Sequence, residues 1–418
     1  MTLRAHQIAA LAAAIADIRL LPAPADALLH QFFRRHPALG QQERAFIAEG
    51  VFAWLRRRRS LEQLAGTTHP SKLALAVAVR ERGYSLRDLE PAMTAADADW
   101  VRAFKSRLGD PLPPAVAADL PDWLWERLGV TYGDEERMAL TRAWLTPAPL
   151  DLRINPLKTT RDDVRTKLAA SGIVADPTPY SPLGLRIAGR PALARHPLLV
   201  GGAVEVQDEG SQLVGYLVAP KRTDMVVDFC AGAGGKTLLL GALMRSQGRL
   251  YAYDVVDKRL ANLKMRLKRS GLSNVHPQLL ASERDTKVKR LAGKIDRVLV
   301  DAPCTGFGTL RRNPDLKWRQ SETGLAELAA KQRTILNAAA TLVKPGGRLV
   351  YATCSVLPDE NEMIIDAFLA AHPGFAPVDA AAELARAGIA LDTGPTLKLY
   401  PHRHGCDGFF AAVLERTG

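Results

Sequence analysis

Cysteine is scarce in this sequence, with four in 418 residues, and Cys230, Cys304, Cys354 and Cys406 form no Cys-x-x-Cys pair and no Cys/His ligand spacing. That scarcity excludes a disulfide framework and a structural zinc site, and a reducing cytoplasm suits such a chain best. Long apolar runs are missing too: no stretch of about eighteen apolar residues offers a membrane span. Residues 1–16 carry basic residues and an alanine-rich run but no clean apolar core followed by a small-residue cleavage site, which argues against a secretory signal. No histidine lies close in sequence to Cys304 or Cys354, which weakens a protease-like Cys/His arrangement. No internal repeat or low-complexity segment is evident. Acidic residues are in deficit, 44 against 56 Lys and Arg, for a net charge of +12. Between Lys258 and Arg333 stand eighteen basic residues and seven acidic ones, nearly the whole surplus, so a basic face belongs to the half that carries the cysteines. Polyanions are its natural partner.

A hydrophobic fraction of 47% suffices for two or three domains, each with its own core. Residues 1–140 read as helices, with apolar positions three and four apart broken by proline and glycine. In Gln41 to Leu55 this spacing puts Phe46, Gly50 or Val51, and Trp54 on one face, and the arginines 56–59 follow as either a solvated helix end or an RNA contact. Residues 141–215 change to short β-prone pieces, beginning at 152–156, with a helix expected at 160–171, and read as a small α+β module. No flexible linker is expected after it. From 216 to 418, strand, glycine turn and helix repeat: 225–229, 249–253, 297–300 and 348–352 are β-like, and 408–414 reads as a final edge strand. Such alternation predicts a mostly parallel, doubly wound Rossmann-like sheet whose ligands gather at the strand C-terminal ends.

The first of these strands runs into Asp228-Phe229-Cys230-Ala231-Gly232-Ala233-Gly234-Gly235-Lys236-Thr237. Glycines let a backbone approach a ligand closely, and the following helix N-terminus offers free N–H donors. Gly235-Lys236-Thr237 resembles the end of a phosphate-binding P-loop, but that pattern needs glycine at 230, where cysteine stands. Asp254 closes the next strand about twenty residues on, where a carboxylate can accept hydrogen bonds from ribose hydroxyls. An adenosine-bearing ligand follows, either a dinucleotide or S-adenosylmethionine. Cys230, at an apolar strand end, reads as a small inert hydrophobe. Cys304 and Cys354 each lie just past a β-run in polar turns, Pro303-Cys304-Thr305-Gly306 and Thr353-Cys354-Ser355, with cations nearby that lower a thiol pKa, and read as nucleophile candidates.

In these segments the chain resembles the RNA (cytosine-5) methyltransferases of the bacterial Sun/Fmu (RsmB-like) type. Residues 228–237 match that family's cofactor loop, 301–319 its most characteristic stretch and 351–362 its nucleophile segment; 153–155, 207–209 and 405–410 match further elements. The first 140 residues look like the NusB-type helical domain that bacterial members carry. The resemblance implies S-adenosyl-L-methionine as cofactor, bound by Cys230, Ala231, Gly232, Ala233, Gly234, Gly235, Lys236, Asp254, Arg259 and Asp301. It implies that Cys354 attacks cytosine C6, that Asp301 hydrogen-bonds or protonates N3, that Lys236 orients base and cofactor, and that Cys304 helps release the product. In DNA cytosine-5 methyltransferases the Pro-Cys cysteine is the attacker, so the sequence logic alone permits either assignment. Arg153, Asn155, Arg311, Arg312, Lys317, Trp318 and Arg319 are the expected RNA contacts, the last five as a cationic strip with one aromatic. No metal is implied. Ribosomal small-subunit RNA is the expected substrate, with transfer RNA as the alternative, and a cytoplasmic monomer the expected form.

The sequence departs from the family at three places. Ala231-Gly232-Ala233 lacks the usual proline, which loosens the turn without removing its donors. The usual acid facing the adenine amino group falls near Ser282, with Glu283 adjacent. Cys406 stands where a hydroxyl is usual and reads as structural, and His402 and His404 beside it lack further ligands for a metal. Two other classes stay open: a P-loop NTPase acting on RNA, and a non-catalytic RNA-binding or assembly factor.

Overall fold

The structure is a computed structural model that describes residues 3–189 and 191–418. It divides into two compact units, Met1–Pro147 with Leu310–Glu322, and Ala148–Thr309 with Thr323–Gly418.

The first unit is helical. Helix Ala5–Ile18 buries Ile8, Leu11, Ile15 and Ile18, three and four apart, and Pro70–Arg80, opened by a proline whose missing N–H costs nothing there, buries Leu73 to Val79. Phe46, Val51 and Trp54 of helix Gln41–Arg56 are buried on the face that their spacing predicts. Of the arginine run after it, Arg56 is buried, while Arg57, Arg58 and Arg59 are half-buried and engaged within the unit. Arg57 pairs with Glu81 at 3.0 Å, Arg58 lies over the Trp54 ring, and Arg59 reaches both the Leu120 carbonyl and Asp122.

Leu310–Glu322 belongs to this unit although the chain on both sides of it belongs to the other. Asp315 accepts from the Ala25 N–H, Lys317 Nζ donates to the Arg56 carbonyl at 2.8 Å, and Trp318 Nε1 donates to the Leu55 carbonyl at 2.7 Å. Lys317 is 2% exposed. Burial pulls its ammonium pKa down to about 7 against the opposing pull of Asp119. Sequence reading could not show that this stretch, read as a cationic strip on the catalytic half, is core of the helical unit.

In the second unit a four-stranded antiparallel sheet runs in the order β2-β3-β1-β4: β1 is Leu150–Ile154, β2 Ala175–Pro177, β3 Gly184–Ile187 and β4 Val204–Val206. Strand alternation sends Leu152 and Ile154 into an apolar core with Val164 and Leu168 of helix Arg161–Ala170, while Asp151 and Arg153 take the other face. Helix Glu209–Val218 follows β4 at once, with Asp208 as its cap.

The large sheet runs β10-β12-β9-β8-β5-β6-β7, with β11 also paired to β12. These are β5 Met225–Asp228, β6 Arg249–Asp254, β7 Val275–Leu279, β8 Ile295–Asp301, β9 Val343–Thr353, β10 Phe375–Val378, β11 Leu397–Leu399 and β12 Phe409–Arg416. Strands β5 to β9 are parallel to their neighbours, and β12 is antiparallel to β9. The strand expected at the edge, β12, lies inside the sheet, because β10 and β11 cover its far side. Chain order reverses between β8 and β5, the crevice where an open α/β sheet accepts ligands.

Candidate active site

Three loops meet beyond the strand ends of β5, β8 and β9. The first leaves Asp228 and turns through Gly232 and Gly234, both at positive φ (56° and 85°), into helix Gly235–Leu243. At Gly234 a Cβ would come within 2.1 Å of Leu263 Cδ1, so only glycine lets the turn pass. Ties from all sides hold this loop. Asp254 at the end of β6 accepts from the Gly232 N–H at 2.9 Å and the Val256 N–H at 2.8 Å. Arg153 donates to the Gly235 carbonyl at 2.5 Å and to Gln207, and Arg266 donates to the Ala233 carbonyl at 2.7 Å. Thr237 Oγ1 donates to Asp228, whose carboxyl is pushed up to about 7 by burial.

The helix start aims Lys236 at the end of β8, where its Nζ meets Asp301 Oδ2 at 2.6 Å. Lys236 is 8% exposed. Burial alone would lower its pKa, but the charge and hydrogen bond of Asp301 outweigh it and hold the ammonium above its usual range. The Phe409 ring lies 5.2 Å from Nζ and adds a cation–π face. The pair sets a firmly held ammonium beside a carboxylate at the end of β8.

After Asp301 the second loop carries Cys304, and after β9 the third carries Cys354. Fifty positions apart in sequence, the two sulfurs are 3.4 Å apart and both cysteines are free. The hydrogen bond to the Cys354 sulfur, helped by burial, pushes the Cys304 thiol well above its usual range. Backbone contacts fix the third loop: the Cys354 carbonyl accepts from the Gly308 N–H at 2.9 Å, and the Gly308 carbonyl from the Gly408 N–H at 2.8 Å. The 405–410 stretch thus serves as a clamp on Cys354 and, through Phe409, as a wall for Lys236.

A cavity of about 460 Å³ opens between these loops, lined by Phe229, Cys230, Gly232, Asp254, Val255, Val256, Arg259, Leu280, Glu283, Asp301, Pro303, Cys304, Lys331 and Ile335. Its size and apolar walls with a few acids suit a nucleoside-sized ligand. Each Asp254 oxygen already takes a backbone N–H, yet a carboxylate has about four acceptor positions, so capacity for a ribose diol remains. The chain therefore fits an adenosine-bearing methyl donor. Ser282, near which the usual acid is expected, does not line the cavity, but its neighbour Glu283 does.

Most expected cofactor residues come together here: Cys230, Gly232, Asp254, Arg259 and Asp301 line the cavity, while Ala231, Ala233, Gly234, Gly235 and Lys236 build its loop and the pair beside it. The expected RNA contacts do not join them. Arg153 is 3% exposed and spent on the glycine loop; Asn155 is buried, donating to the carbonyls of Gly202 and Ser270. Arg311 and Lys317 are buried within the helical unit, Trp318 is bonded there, Arg312 is half-buried and Arg319 reaches Asp315. Internal acceptors hold Arg153, Asn155, Lys317 and Trp318 as struts, whereas Arg319 stands exposed and Arg312 half-buried. Sequence reading missed Val255, Val256, Leu280, Lys331 and Ile335, which no motif marks, and Phe409, which lay inside a quoted one. Cys406 sits in the core. Among the described residues no group of three or more His, Cys, Asp and Glu side chains could hold a metal, and no helix is long and apolar enough to cross a membrane.

A family model described as 16S rRNA methyltransferase RsmB/F matches residues 215–415, and one described as an RsmF/B-like, ferredoxin-like domain matches residues 120–193. A probable ribosomal RNA small subunit methyltransferase B from Synechocystis sp. is 33% identical over 96% of this chain and 97% of its own length. A second protein of that description, from Bacillus subtilis, is 32% identical over 73% of this chain and 68% of its own. The crystal structure of PH0851 matches with a TM-score of 0.79 at 26% identity, covering 100% of both chains. A relative matched at this identity almost from end to end leaves one conclusion: the chain belongs to the RsmB/F family of 16S rRNA methyltransferases.

Proposed function

We propose that this protein methylates C5 of a cytosine in 16S rRNA, with S-adenosylmethionine as donor and a transient bond between Cys354 and C6. The observation that carries the reading is the convergence of two free thiols 3.4 Å apart with a buried Lys236–Asp301 pair around a nucleoside-sized cavity. The donor, when bound, supplies a methyl group on an electron-poor sulfonium.

Cytosine C5 is a poor nucleophile until something adds at C6. The Cys354 thiolate forms the S–C6 bond, and the displaced electron pair is accommodated at N3 by the proton that Asp301 and Lys236 share. C5 then has the electron density to take a methyl group. Removal of the C5 proton by a base returns that electron pair to the C5–C6 bond and expels the Cys354 thiolate. The sulfur contact gives Cys304 a stage-dependent role. While Cys354 is a thiolate, Cys304 stays protonated and donates to it; once Cys354 is bonded to carbon, that negative charge is gone and Cys304 can release its own proton to solvent, so that it then takes the C5 proton while the proton held at N3 returns to the Asp301–Lys236 pair. It becomes a base only after attack, when a base is needed. The target ring must be approached from above, so the cytosine lies outside a continuous stack.

Labelled methyl transfer to small-subunit RNA from cells lacking this protein tests the reading. Wild type is expected to place label in 5-methylcytosine, Cys354→Ala to abolish it, and Cys304→Ala to leave a protein–RNA adduct stable to denaturing gels. An adduct with Cys354→Ala and none with Cys304→Ala would reverse the two roles. Label in transfer RNA alone would move the substrate.

A further inference from the structure

The dipeptide Glu360-Asn361, which follows the nucleophile loop, touches neither sulfur, yet it holds the residues on both sides of each cysteine. Glu360 is fully buried. Its Oε1 accepts from the Thr305 N–H at 2.8 Å and from Gln332 Nε2 at 3.0 Å, and its Oε2 accepts from Thr305 Oγ1 at 2.5 Å. Gln332 Nε2 also donates to the Pro303 carbonyl at 2.9 Å, so the neighbours of Cys304 on both sides are tied to this carboxylate. Asn361 does the same for Cys354: its Oδ1 accepts from Thr353 Oγ1 at 2.5 Å, and its Nδ2 donates to the Ser355 carbonyl at 3.1 Å. The Tyr351 hydroxyl, from β9, donates to the Glu360 carbonyl at 2.7 Å and seats the turn on the sheet.

We propose that Glu360 is a positioning residue that sets the distance between the two sulfurs by fixing the Cys304 loop against the Cys354 loop. The role for those sulfurs rests on the methyl-transfer reading; the brace itself does not. Three donors converge on one side chain, which is why a carboxylate suits the position. Glutamine keeps the shape: its oxygen can serve the Thr305 and Gln332 N–H groups, and its amide can donate to a Thr305 hydroxyl that turns to accept. Alanine removes the acceptor of the Thr305 N–H and one of the two acceptors of Gln332 Nε2, and leaves the Thr305 hydroxyl only its 3.4 Å contact with Ser355 Oγ among these bonds, so the Cys304 loop loses its tie to the turn and must shift.

The test oxidises the full-length protein with diamide, which takes two electrons and two protons from the paired thiols as the S–S bond forms. Mass spectrometry follows the Cys304–Cys354 peptide. Wild type and Glu360→Gln are expected to form it at rates within threefold of each other, and Glu360→Ala at least tenfold more slowly. In RNA methylation, Glu360→Ala should lose at least thirtyfold in kcat, keep its KM for S-adenosylmethionine within threefold, and accumulate the protein–RNA adduct that Cys304→Ala gives. Equal disulfide rates in wild type and a folded Glu360→Ala overturn the proposal. If that variant does not fold, Thr305→Val removes the Oγ1 contact alone, and an unchanged disulfide rate there overturns it equally. A slowed disulfide rate beside a wild type that methylates no RNA would sustain the brace and sink the methyl-transfer reading instead.

Discussion

Gly308 is the position where one added carbon should damage catalysis most cleanly. A Cβ there would stand 2.0 Å from the Gly408 carbonyl oxygen, 2.6 Å from its carbon and 2.8 Å from the Cys354 carbonyl oxygen. All three atoms are backbone, so no rotamer can relieve the overlap, and the first contact must open by roughly 1 Å to become merely tight. Overpacking of this kind costs about 1–3 kcal/mol. The displacement has one direct path, since Gly308 donates to the Cys354 carbonyl and accepts from the Gly408 N–H. A shift of about 1 Å at a reacting group can cost about a hundredfold in rate. Gly308→Ala is therefore expected to lose about 2 kcal/mol in urea unfolding and about a hundredfold in kcat for methyl transfer. Gly346→Ala is the control, because Gly346 has φ +73° but nothing within 4 Å of its Cβ. It should lose only about 1–2 kcal/mol of backbone strain, with unchanged activity. A Gly308→Ala enzyme within threefold of wild-type activity at wild-type stability would refute the claim that this contact holds the nucleophile.

Arg153→Met, which frees the Gly235 carbonyl, should weaken S-adenosylmethionine binding by about tenfold, roughly 1.4 kcal/mol, without unfolding the protein; titration calorimetry with no change in affinity would contradict the strut assignment. Lys317 gives a pH signature: its folded pKa of about 7 lies below the ordinary lysine value of 10.5, so between those values the unfolded chain binds more protons and stability rises with pH. Lys317→Met should flatten that rise in urea unfolding at pH 7 to 10, and an identical slope would show that the ammonium is not desolvated. Lys264 and Lys268, exposed on helix Asp257–Ser270, should carry part of the phosphate contact, so Lys264→Ala with Lys268→Ala lowers the salt slope of RNA binding by roughly 1.4. An unaltered slope would put the RNA elsewhere.

The doubly wound sheet was legible because short apolar strands alternate with helical stretches, and the site because β5, β6 and β8 each end in an aspartate, with the glycine turn and the two cysteines just past strand ends. What sequence could not show was how side chains are spent. Glu360 and Gln332 lie 28 positions apart and meet only through the fold. The edge placement of β12 failed for a related reason: strand pattern reports burial, and an antiparallel strand covered by β10 and β11 is as apolar as an edge one folded over a core. The 310–322 stretch was read with the half in which it is written, since composition carries no record of which core a segment joins.

Cations explain both the success and the failure of the charge argument. The surplus between Lys258 and Arg333 is real, but much of it is consumed internally. Arg266 and Arg269 converge on Glu205, Arg297 faces Asp224, and Lys317 is spent on a backbone carbonyl. Each lies where a buried acceptor needs a donor, and a fork of N–H groups meets that need better than water can. The cations left at the surface, such as Lys258, Lys264, Lys268, Lys289 and Arg290, lie on the helices 257–270 and 286–290 and stand exposed. The exposed cations therefore stand on helix surfaces without a motif, while Arg153 and Lys317, which stand in motifs, are bonded internally. The sign of the field was readable from composition; its address required the burial of each side chain.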